Sequence, residues 1–259
     1  MGYPDGPLKN KSVYEPNKYA IISPEGRVFN VIPGIHNCEL SILCSPKMGA
    51  QAVHIVGTVT PSGFTSLAYA QEEGVESFIF VIDGEGTLDV STGDENATLS
   101  AGGYLYSPPG KGISFKNNSG KPLRIYLYKQ RFVPHPVAEA KLPWTIIGNV
   151  NDIEEQDYAD MANVHVRDLL PVDEAFDMNM HTLAFDPGGC HPFVETHVQE
   201  HGAYVYEGQG NYLLDDKWFT VEKEDFIWFA PFVKQACYGT GLGRMTYIYS
   251  KDCHRDEKI

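Results

Sequence analysis

Short apolar runs, rich in β-branched and aromatic side chains, recur along most of the chain. Gly or Pro interrupts them about every ten residues. The runs read YAIISP, RVFNVIP, CELSILC and AVHIVGTVTP in the first half, and MNMHTLAF, AYVYEGQGNYLL, DFIWFAP and RMTYIYS in the second. This spacing is typical of all-β sandwiches and barrels, so the pattern predicts an all-β protein.

The strand pattern also predicts where the chain divides. Residues 1–18 are polar and turn-rich and are predicted to form an N-terminal arm, with a first β domain over 19–140. Residues 141–170 are acidic and are predicted to be a linker with one or two helical turns. Their apolar side chains have a weak helical spacing, at Ile153, Tyr158, Met161 and Ala162. The strand pattern resumes in a second domain over 171–259.

An internal repeat relates the two β domains. DGEGTLDV, from Asp83, matches EGQGNYLL, from Glu207, and GGYLYSPP, from Gly102, matches EDFIWFAP, from Glu224. The intervals between the paired segments are also close in the two halves. One β unit is therefore used twice, and we expect two similar barrels.

Charge and cysteine content narrow the class of protein. The chain has 34 acidic and 20 basic residues, a net charge of −14 and no Lys/Arg-rich run, so nucleic acid and anionic membranes are excluded as expected partners. An anionic substrate would need a local cation. Five cysteines without a CxxC pair predict reduced thiols. The first residues have no apolar leader and no run reaches membrane-spanning length, so the expected location is the cytoplasm.

The candidate chemistry lies in GCHPFVETHVQEHGAYVYEG, from Gly189 to Gly208. If this segment is a strand, Glu195, His197 and His201 have the same parity and project from one face. On a helix, the first two of these would diverge by roughly 200°. One carboxylate and two imidazoles aimed at a common point form a metal-ligand set. The alternative is a surface strand with scattered polar residues.

The pattern GxxxxxExHxxxHxxxxxxG in this segment resembles the first cupin motif, with the first His and the Glu exchanged. The second cupin motif has lost its glycines and proline, and Gln235 stands at its ligand position. Its other positions fall on Glu224, Ala230, Phe232 and Gly239. The resemblance implies a bicupin, two tandem double-stranded β-helix (jelly-roll) barrels.

In the first half the pattern is the reverse of that in the second half, because the second cupin motif is kept and the first motif is lost. Its second motif is kept at Gly102, Pro108, Gly110 and Asn117, but Ile113 occupies the ligand position. Its first motif would place Gln71, Glu73 and Ser77 where ligands belong. We therefore expect no metal in the N-terminal cupin domain. Glu73 and Glu76 are interpreted as a solvated acidic turn.

Further segments resemble one cupin family, the (S)-ureidoglycine aminohydrolases of allantoin breakdown. They are FDMNMH, ETHVQEHGAY, YIYSKDCxRD, GGYLYSPPG and YKxRFVP, and they span nearly the whole chain. The resemblance implies hydrolysis of (S)-ureidoglycine to (S)-ureidoglycolate and ammonia, and assembly into a homo-oligomer. It implies one Mn²⁺ per chain in the C-terminal cupin, with the ligands Glu195, His197, His201 and Gln235. The secretory leader of the plant members is missing, which indicates a cytosolic form.

The last strand supplies further candidate site residues. Tyr247, Tyr249 and Lys251 share a face. The resemblance places substrate contacts on the first and last of these, while Tyr249 is assigned to packing. The implied substrate-binding set is Glu195, Gln235, Tyr247 and Lys251, and the implied catalytic set is Glu195, Tyr247 and Lys251. The general base stays open between Glu195 and a neutral Lys251.

Other residues near the candidate site have two interpretations. His181 and His191 belong either to the surroundings of the metal ligands or to the packed core. Met178 and Met180 are expected to face the apolar interior and to line the pocket wall. His36, His54, His135, His165 and His254 have no constellation around them.

Two other functions compete with the ureide hydrolase. One is another metal-dependent cupin enzyme, similar to oxalate decarboxylases or dioxygenases. Those usually keep three His and one Glu, so Gln235 argues against it. The other is a non-enzymatic ligand-binding cupin of a regulator, but the sequence has no basic DNA-binding segment.

Overall fold

The computed structural model describes residues 11–135 and 141–251, and it confirms the all-β prediction. The helices in these two ranges are single 3₁₀ turns at Pro24–Gly26, Pro46–Met48 and Val150–Asp152. The first ten residues of the predicted arm, Cys253 and His254 lie outside the described residues. The four described cysteines are free thiols. No helix in the described ranges is long and apolar enough to cross a membrane.

The described residues form twenty strands. The N-terminal segment supplies β1 (Val13–Glu15) and β2 (Tyr19–Ile22). The first half continues with β3 (Ile35–Cys44), β4 (Val53–Thr65), β5 (Val75–Asp83), β6 (Leu88–Thr92), β7 (Glu95–Leu99), β8 (Gly103–Ser107), β9 (Ser114–Lys116), β10 (Leu123–Arg131) and β11 (Ile146–Asn149). The second half has β12 (Gln156–Asp157), β13 (Val164–Asp168), β14 (Asn179–Phe185), β15 (His201–Glu207), β16 (Gln209–Leu214), β17 (Lys217–Glu222), β18 (Phe226–Phe229), β19 (Gln235–Thr240) and β20 (Met245–Lys251).

Three sheets arrange these strands into two barrels. The N-terminal sheet has the order β11-β8-β5-β10-β4-β9-β6-β7, with β3 also paired to β4. The C-terminal barrel is built from an eight-stranded sheet, β1-β2-β18-β15-β20-β14-β13-β12, and a three-stranded sheet, β17-β16-β19. Side chains from both of these sheets share one apolar core, which includes Leu183, Tyr212, Val221 and Tyr247. The candidate site lies between them.

The predicted boundaries need correction at both ends of the first half. β2 was assigned to the N-terminal domain, but it pairs with β18 in the C-terminal sheet. The predicted linker, residues 141–170, adds β11 to the N-terminal sheet and β12 and β13 to the C-terminal sheet. Its helical content is the one turn at Val150–Asp152. Edge strands offer unpaired backbone groups that any extended segment can join, so local sequence does not show which sheet a segment enters.

The strands between the two barrels are buried on both faces. In β5, Ile79 and Val81 point into the N-terminal barrel, whereas Phe78 and Phe80 belong to an apolar cluster between the barrels, here called the interface core. The interface core also contains Tyr204, Trp228 and Ile248 of the C-terminal half. Burial on both faces explains why these strands read as continuous apolar runs rather than as alternating ones. Met178 and Met180 lie in this interface core, so they do not form the predicted pocket wall.

The repeated glycines end equivalent strands. Gly84 follows β5 with φ 131°, and Gly208 follows β15 with φ 71°. A Cβ atom at Gly208 would lie 2.1 Å from the carbonyl oxygen of Arg244. Both the backbone conformation and the close approach of the neighbouring strand therefore exclude a side chain at this turn.

Glu76 is not part of a solvated turn, because its side chain is fully buried at the interface between the barrels. The Tyr106 hydroxyl and the Gln130 amide both donate hydrogen bonds to its carboxyl group. Burial raises the pKa of Glu76 well above its usual value, and nearby Asp177 from the other half raises it further. Glu73, by contrast, is exposed.

We predict that Glu76→Gln increases stability more at pH 8 than at pH 5.5. A carboxyl whose pKa is higher in the folded state binds extra protons on folding, so wild-type stability falls as pH rises above about 4.5. Glutamine removes that loss. The gain over wild type, measured as the free energy of unfolding by urea, is expected to be larger at pH 8 than at pH 5.5. Glu73→Gln is the exposed control, and parallel pH profiles for Glu76→Gln and wild type would contradict the assignment.

Candidate active site

The segment that carries the predicted ligands is only partly a strand. Residues 191–200 are irregular, and β15 begins at His201. Single bridges pair Cys190 with Tyr238 and Glu195 with Gln235 of β19. The sequence predicted that the side chains converge because they share the parity of one continuous strand, and this prediction is wrong. They converge because of these bridges.

The four side chains predicted as ligands lie next to one another. The Nε2 atoms of His197 and His201 are 3.1 Å apart. The Gln235 amide nitrogen lies 2.8 Å from His197 Nε2 and 3.2 Å from Glu195 Oε1. Adjacent ligand atoms around a six-coordinate ion, with bonds of about 2.1 Å, lie about 3 Å apart. The donor spacing matches that requirement.

Backbone carbonyls set the tautomers of both imidazoles. His197 Nδ1–H donates to the carbonyl oxygen of Gln199 at 3.0 Å, and His201 Nδ1–H donates to that of Ser250 at 2.9 Å. Both Nε2 atoms are then left with lone pairs that face each other. Burial lowers the pKa of both imidazoles, which disfavours a proton between them. A bound cation satisfies both lone pairs, so these residues fit a metal ion.

The carboxylate and amide complete the donor set. Across residues 11–135 and 141–251, no three or more side chains of His, Cys, Asp or Glu form by themselves a group able to hold a metal ion. The candidate centre therefore depends on Gln235, which links Glu195 to the imidazole of His197. Gln235 Oε1 accepts a hydrogen bond from the Tyr212 hydroxyl at 2.7 Å. A half-turn of the amide exchanges its oxygen and nitrogen without changing its shape, and it would turn the oxygen toward His197.

Aromatic side chains form the wall of this pocket. Tyr247 and Tyr249 of β20 line it, and their rings are 5.5 Å apart. Tyr249 also meets the His201 ring edge-on at 5.2 Å, so it belongs to the site and not only to the packing that the sequence predicted. Burial raises the pKa of Tyr212 and Tyr247 well above the usual value, so both phenols stay protonated as hydrogen-bond donors.

Lys251 ends β20 beside the ligands. In the sheet it is opposite His201 on one side and Asn179 on the other. Among the described residues that line the pocket, it is the one Lys or Arg. Burial raises the pKa of Glu195, and the positive charge of Lys251 acts in the opposite direction. The pocket therefore holds a local cation within a strongly acidic chain.

The structure assigns different places to His191 and His181, for which the sequence allowed two interpretations. His191 is buried and lines the pocket, with Nδ1 3.9 Å from Glu195 Oε1. Neither of its ring nitrogens has a hydrogen-bond partner in the described part of the chain. Burial lowers the pKa of His191 to about 4, so the ring is neutral at pH 7. His181 instead bonds Asp168 at 2.6 Å and stacks on Tyr249, outside the pocket lining.

The equivalent positions of the N-terminal barrel carry different side chains in different surroundings. Gln71 and Glu73 are exposed, and Ile113 is buried where a ligand would stand. The interior of that barrel is an apolar core. The absence of a metal site from this half nevertheless stays a prediction.

Sequence reasoning missed four residues that line the pocket: Tyr158, Leu183, Ala203 and Tyr212. The internal repeat carried a signal for one of them, because Tyr212 stands at the position of Leu88 in the first half. Leu88 is a buried core residue of the N-terminal barrel. A phenol at an inward position that is apolar in the other repeat indicates a polar interior. Tyr158 lies in the predicted linker, and no local pattern assigned it to the site.

Sequence comparison identifies relatives over the whole chain. The chain is 42% identical to (S)-ureidoglycine aminohydrolase of Escherichia coli K12, covering 100% of this chain and 97% of that protein. It is 30% identical to (S)-ureidoglycine aminohydrolase of Arabidopsis thaliana, covering 97% and 81%. No family model matches the chain.

Comparison with solved structures identifies the fold class of the chain. The crystal structure of protein Ylba from E. coli has a TM-score of 0.86 at 40% identity, with full coverage of both chains. An oxalate decarboxylase has a TM-score of 0.67 at 10% identity, covering 96% of this chain and 79% of that one, which shows a shared fold. The fold is thus that of the two-barrel cupins, as the sequence predicted. Within that class, the chain belongs to the (S)-ureidoglycine aminohydrolase family.

We predict that His197→Ala and His201→Ala each remove most of the bound metal while the protein stays folded. The ligands lie at the pocket surface, and the apolar cores that stabilise the barrels are untouched. Metal content is measured by elemental analysis after Mn²⁺ loading and dialysis, and folding by circular dichroism. Glu73→Ala is the control and should keep full metal content. Stoichiometric metal in both histidine variants would locate the metal elsewhere.

Proposed function

We propose that this protein is a manganese-dependent hydrolase that converts (S)-ureidoglycine and water to (S)-ureidoglycolate and ammonia. The observation that carries the proposal is the pair of Nε2 atoms of His197 and His201, which face each other at 3.1 Å in a pocket that Lys251 also lines. The pair fits a cation, and Lys251 fits a substrate carboxylate. The 42% identity to an (S)-ureidoglycine aminohydrolase supports the choice of substrate.

The proposed metal ligands are His197, His201, Glu195 and Gln235. Two nitrogen and two oxygen donors suit a divalent ion that keeps positions open for substrate. Bound Mn²⁺ would supply Lewis acidity and a fixed template for the substrate. Because one of the four ligands is a neutral amide, the site would retain more Lewis acidity than an all-anionic set.

The protein groups around that centre bind and orient the substrate. Lys251 pairs with the substrate carboxylate, which offsets the repulsion expected from a chain of net charge −14. Tyr247 donates a hydrogen bond from a phenol whose raised pKa keeps it protonated. His191, buried and neutral, lies beside Glu195 on the segment bridged to the opposite, three-stranded sheet. Contacts from several directions at one carbon are what selection of a single enantiomer requires.

Glu195 is the proposed general base. A carboxylate that binds a metal ion through one oxygen keeps its second oxygen free to accept a proton. The reaction replaces the bond from carbon to the amine nitrogen with a bond to the oxygen of water. A carboxylate oxygen of Glu195 takes a proton from that water and returns it to the departing amine, which leaves as ammonia.

The direct test is ammonia release from freshly generated ureidoglycine by the Mn²⁺-loaded protein. Chiral analysis should show that the ureidoglycolate formed is the S enantiomer. Removal of the metal with a chelator should abolish turnover, and Mn²⁺ should restore it. Turnover of another substrate with consumption of oxygen, and none of ureidoglycine, would favour the dioxygenase-like alternative.

We further predict that Lys251→Ala lowers kcat/KM by about 10²-fold or more. Loss of a charged hydrogen bond in a desolvated site costs about 2–4 kcal/mol. Metal content should not change, because Lys251 is not a ligand. Lys251→Arg should restore activity only in part, since a planar guanidinium does not fit an ammonium site.

The control for Lys251 is Lys234→Ala. Lys234 lies in the same barrel, but it is half-exposed and pairs with Asp216 at the surface. The kcat/KM of the Lys234→Ala variant is expected to stay within about twofold of wild type. Equal, small effects of Lys251→Ala and Lys234→Ala would remove Lys251 from the site.

A further inference from the structure

His201 lies between two residues that contact the other barrel. It is the first residue of β15, and it follows Glu200 and precedes Gly202. Both neighbours meet the short segment 51–54 of the N-terminal half, at the start of β4. A proposed metal ligand of one barrel is therefore flanked on both sides by contacts to the barrel without ligands.

The first contact is a carboxylate on backbone amides. Gln51 N–H donates to both carboxylate oxygens of Glu200, each at 3.0 Å, and the Ala52 amide donates to the same group. Burial raises the pKa of Glu200 to about 7, and these backbone N–H groups act in the opposite direction. Oxygens of a carboxyl group accept hydrogen bonds in both protonation states. These hydrogen bonds hold the residue before His201 at a defined place on the N-terminal barrel.

The second contact is an imidazole packed on a glycine. His54 of β4 is fully buried, bonds the Tyr126 hydroxyl and packs against the Phe226 ring at 5.1 Å. A Cβ atom at Gly202 would lie 2.3 Å from His54 Cε1. The ring of His54 thus occupies the space that any side chain at position 202 would need. It limits how far the backbone after His201 can move toward the first barrel.

We infer that residues 51–54, here called the N-terminal clamp, position His201 for metal binding. The inference rests on the proposed metal centre. Within its own barrel, His201 is oriented by its hydrogen bond to the Ser250 carbonyl, on the neighbouring strand. The N-terminal clamp sets the position of the backbone that carries this ring relative to the first barrel. The half that has lost its ligands thereby contributes to the metal affinity of the half that keeps them.

The test is Mn²⁺ titration of the metal-free protein by isothermal titration calorimetry, with the melting temperature of the same metal-free samples measured in parallel. Glu200→Ala and Gly202→Ala should each raise the Kd for Mn²⁺ by about tenfold, at the lower end of what loss of an outer-shell partner produces. In the double variant Gly202→Ala/His54→Ala, removal of the ring makes room for the new methyl group. Part of the lost affinity should return, which a double-mutant cycle measures.

A matched control removes a different contact between the barrels. Arg124 of the N-terminal half donates to the Tyr204 hydroxyl and pairs with Glu224, both at 3.1 Å. Arg124→Ala should lower the melting temperature while leaving the Kd for Mn²⁺ within about twofold of wild type. That split separates positioning of His201 from general stabilisation of the interface.

Two outcomes would overturn the inference or its basis. If Glu200→Ala and Gly202→Ala lower the melting temperature but keep the wild-type Kd, the clamp is only structural. If Gly202→Ala does not fold, the Kd and melting temperature of Glu200→Ala alone are judged by the same criterion. If wild type itself binds no Mn²⁺, the proposed metal centre fails first. Mn²⁺ binding without ammonia release would leave the clamp standing and refute only the proposed reaction.

Discussion

Two imidazole Nε2 atoms that face each other at 3.1 Å in a buried pocket are the constraint on which the site depends. The carbonyl oxygens of Gln199 and Ser250 take both Nδ1 protons, and burial disfavours a further proton. Facing lone pairs repel, so the arrangement is stable only with a cation or an equivalent donor between them. Of the two Nε2 atoms, the Gln235 amide donates to that of His197 alone, and it connects that imidazole to the carboxylate of Glu195. The chemistry proposed for this pocket follows from that requirement.

The two barrels repeat one β unit, but their interiors differ in polarity. In the first barrel the inward positions are apolar, as at Leu88 and Ile113, and the interior is a packed core. In the second barrel Tyr212 and Gln235 stand at the corresponding positions and bond each other at 2.7 Å. Buried polar groups are tolerated only where they find partners, so such a polar interior has to be built as a connected set. The second barrel meets this condition around the proposed ligands, and the first has no need of it.

The interface between the barrels joins the apolar interior of the first to the polar interior of the second. Strands such as β5 and β15 carry apolar side chains on both faces, because one face fills a barrel and the other joins the interface core. The same interface also buries polar groups, among them Glu76 and His54. It therefore sets both the stability of the pair and the position of β15, which begins with His201. The proposed influence of the first barrel on the proposed metal centre would act through this packed and poorly deformable boundary.

The sequence by itself determined the all-β class, the repeat of one β unit and the chemical types that meet in the pocket. These follow from local rules: strand periodicity, Gly and Pro at turns, and the spacing of Glu195, His197 and His201. The tertiary structure decided what depends on distant partners. The backbone bridge from Glu195 to Gln235, and not a continuous strand, brings the donors together. Tyr158, Tyr212 and Tyr249 enter the site, and Glu76 is buried, only because segments far apart in the chain pack there. Edge pairing placed β2 in the sheet of the second barrel, because unpaired strand edges accept any extended segment that reaches them.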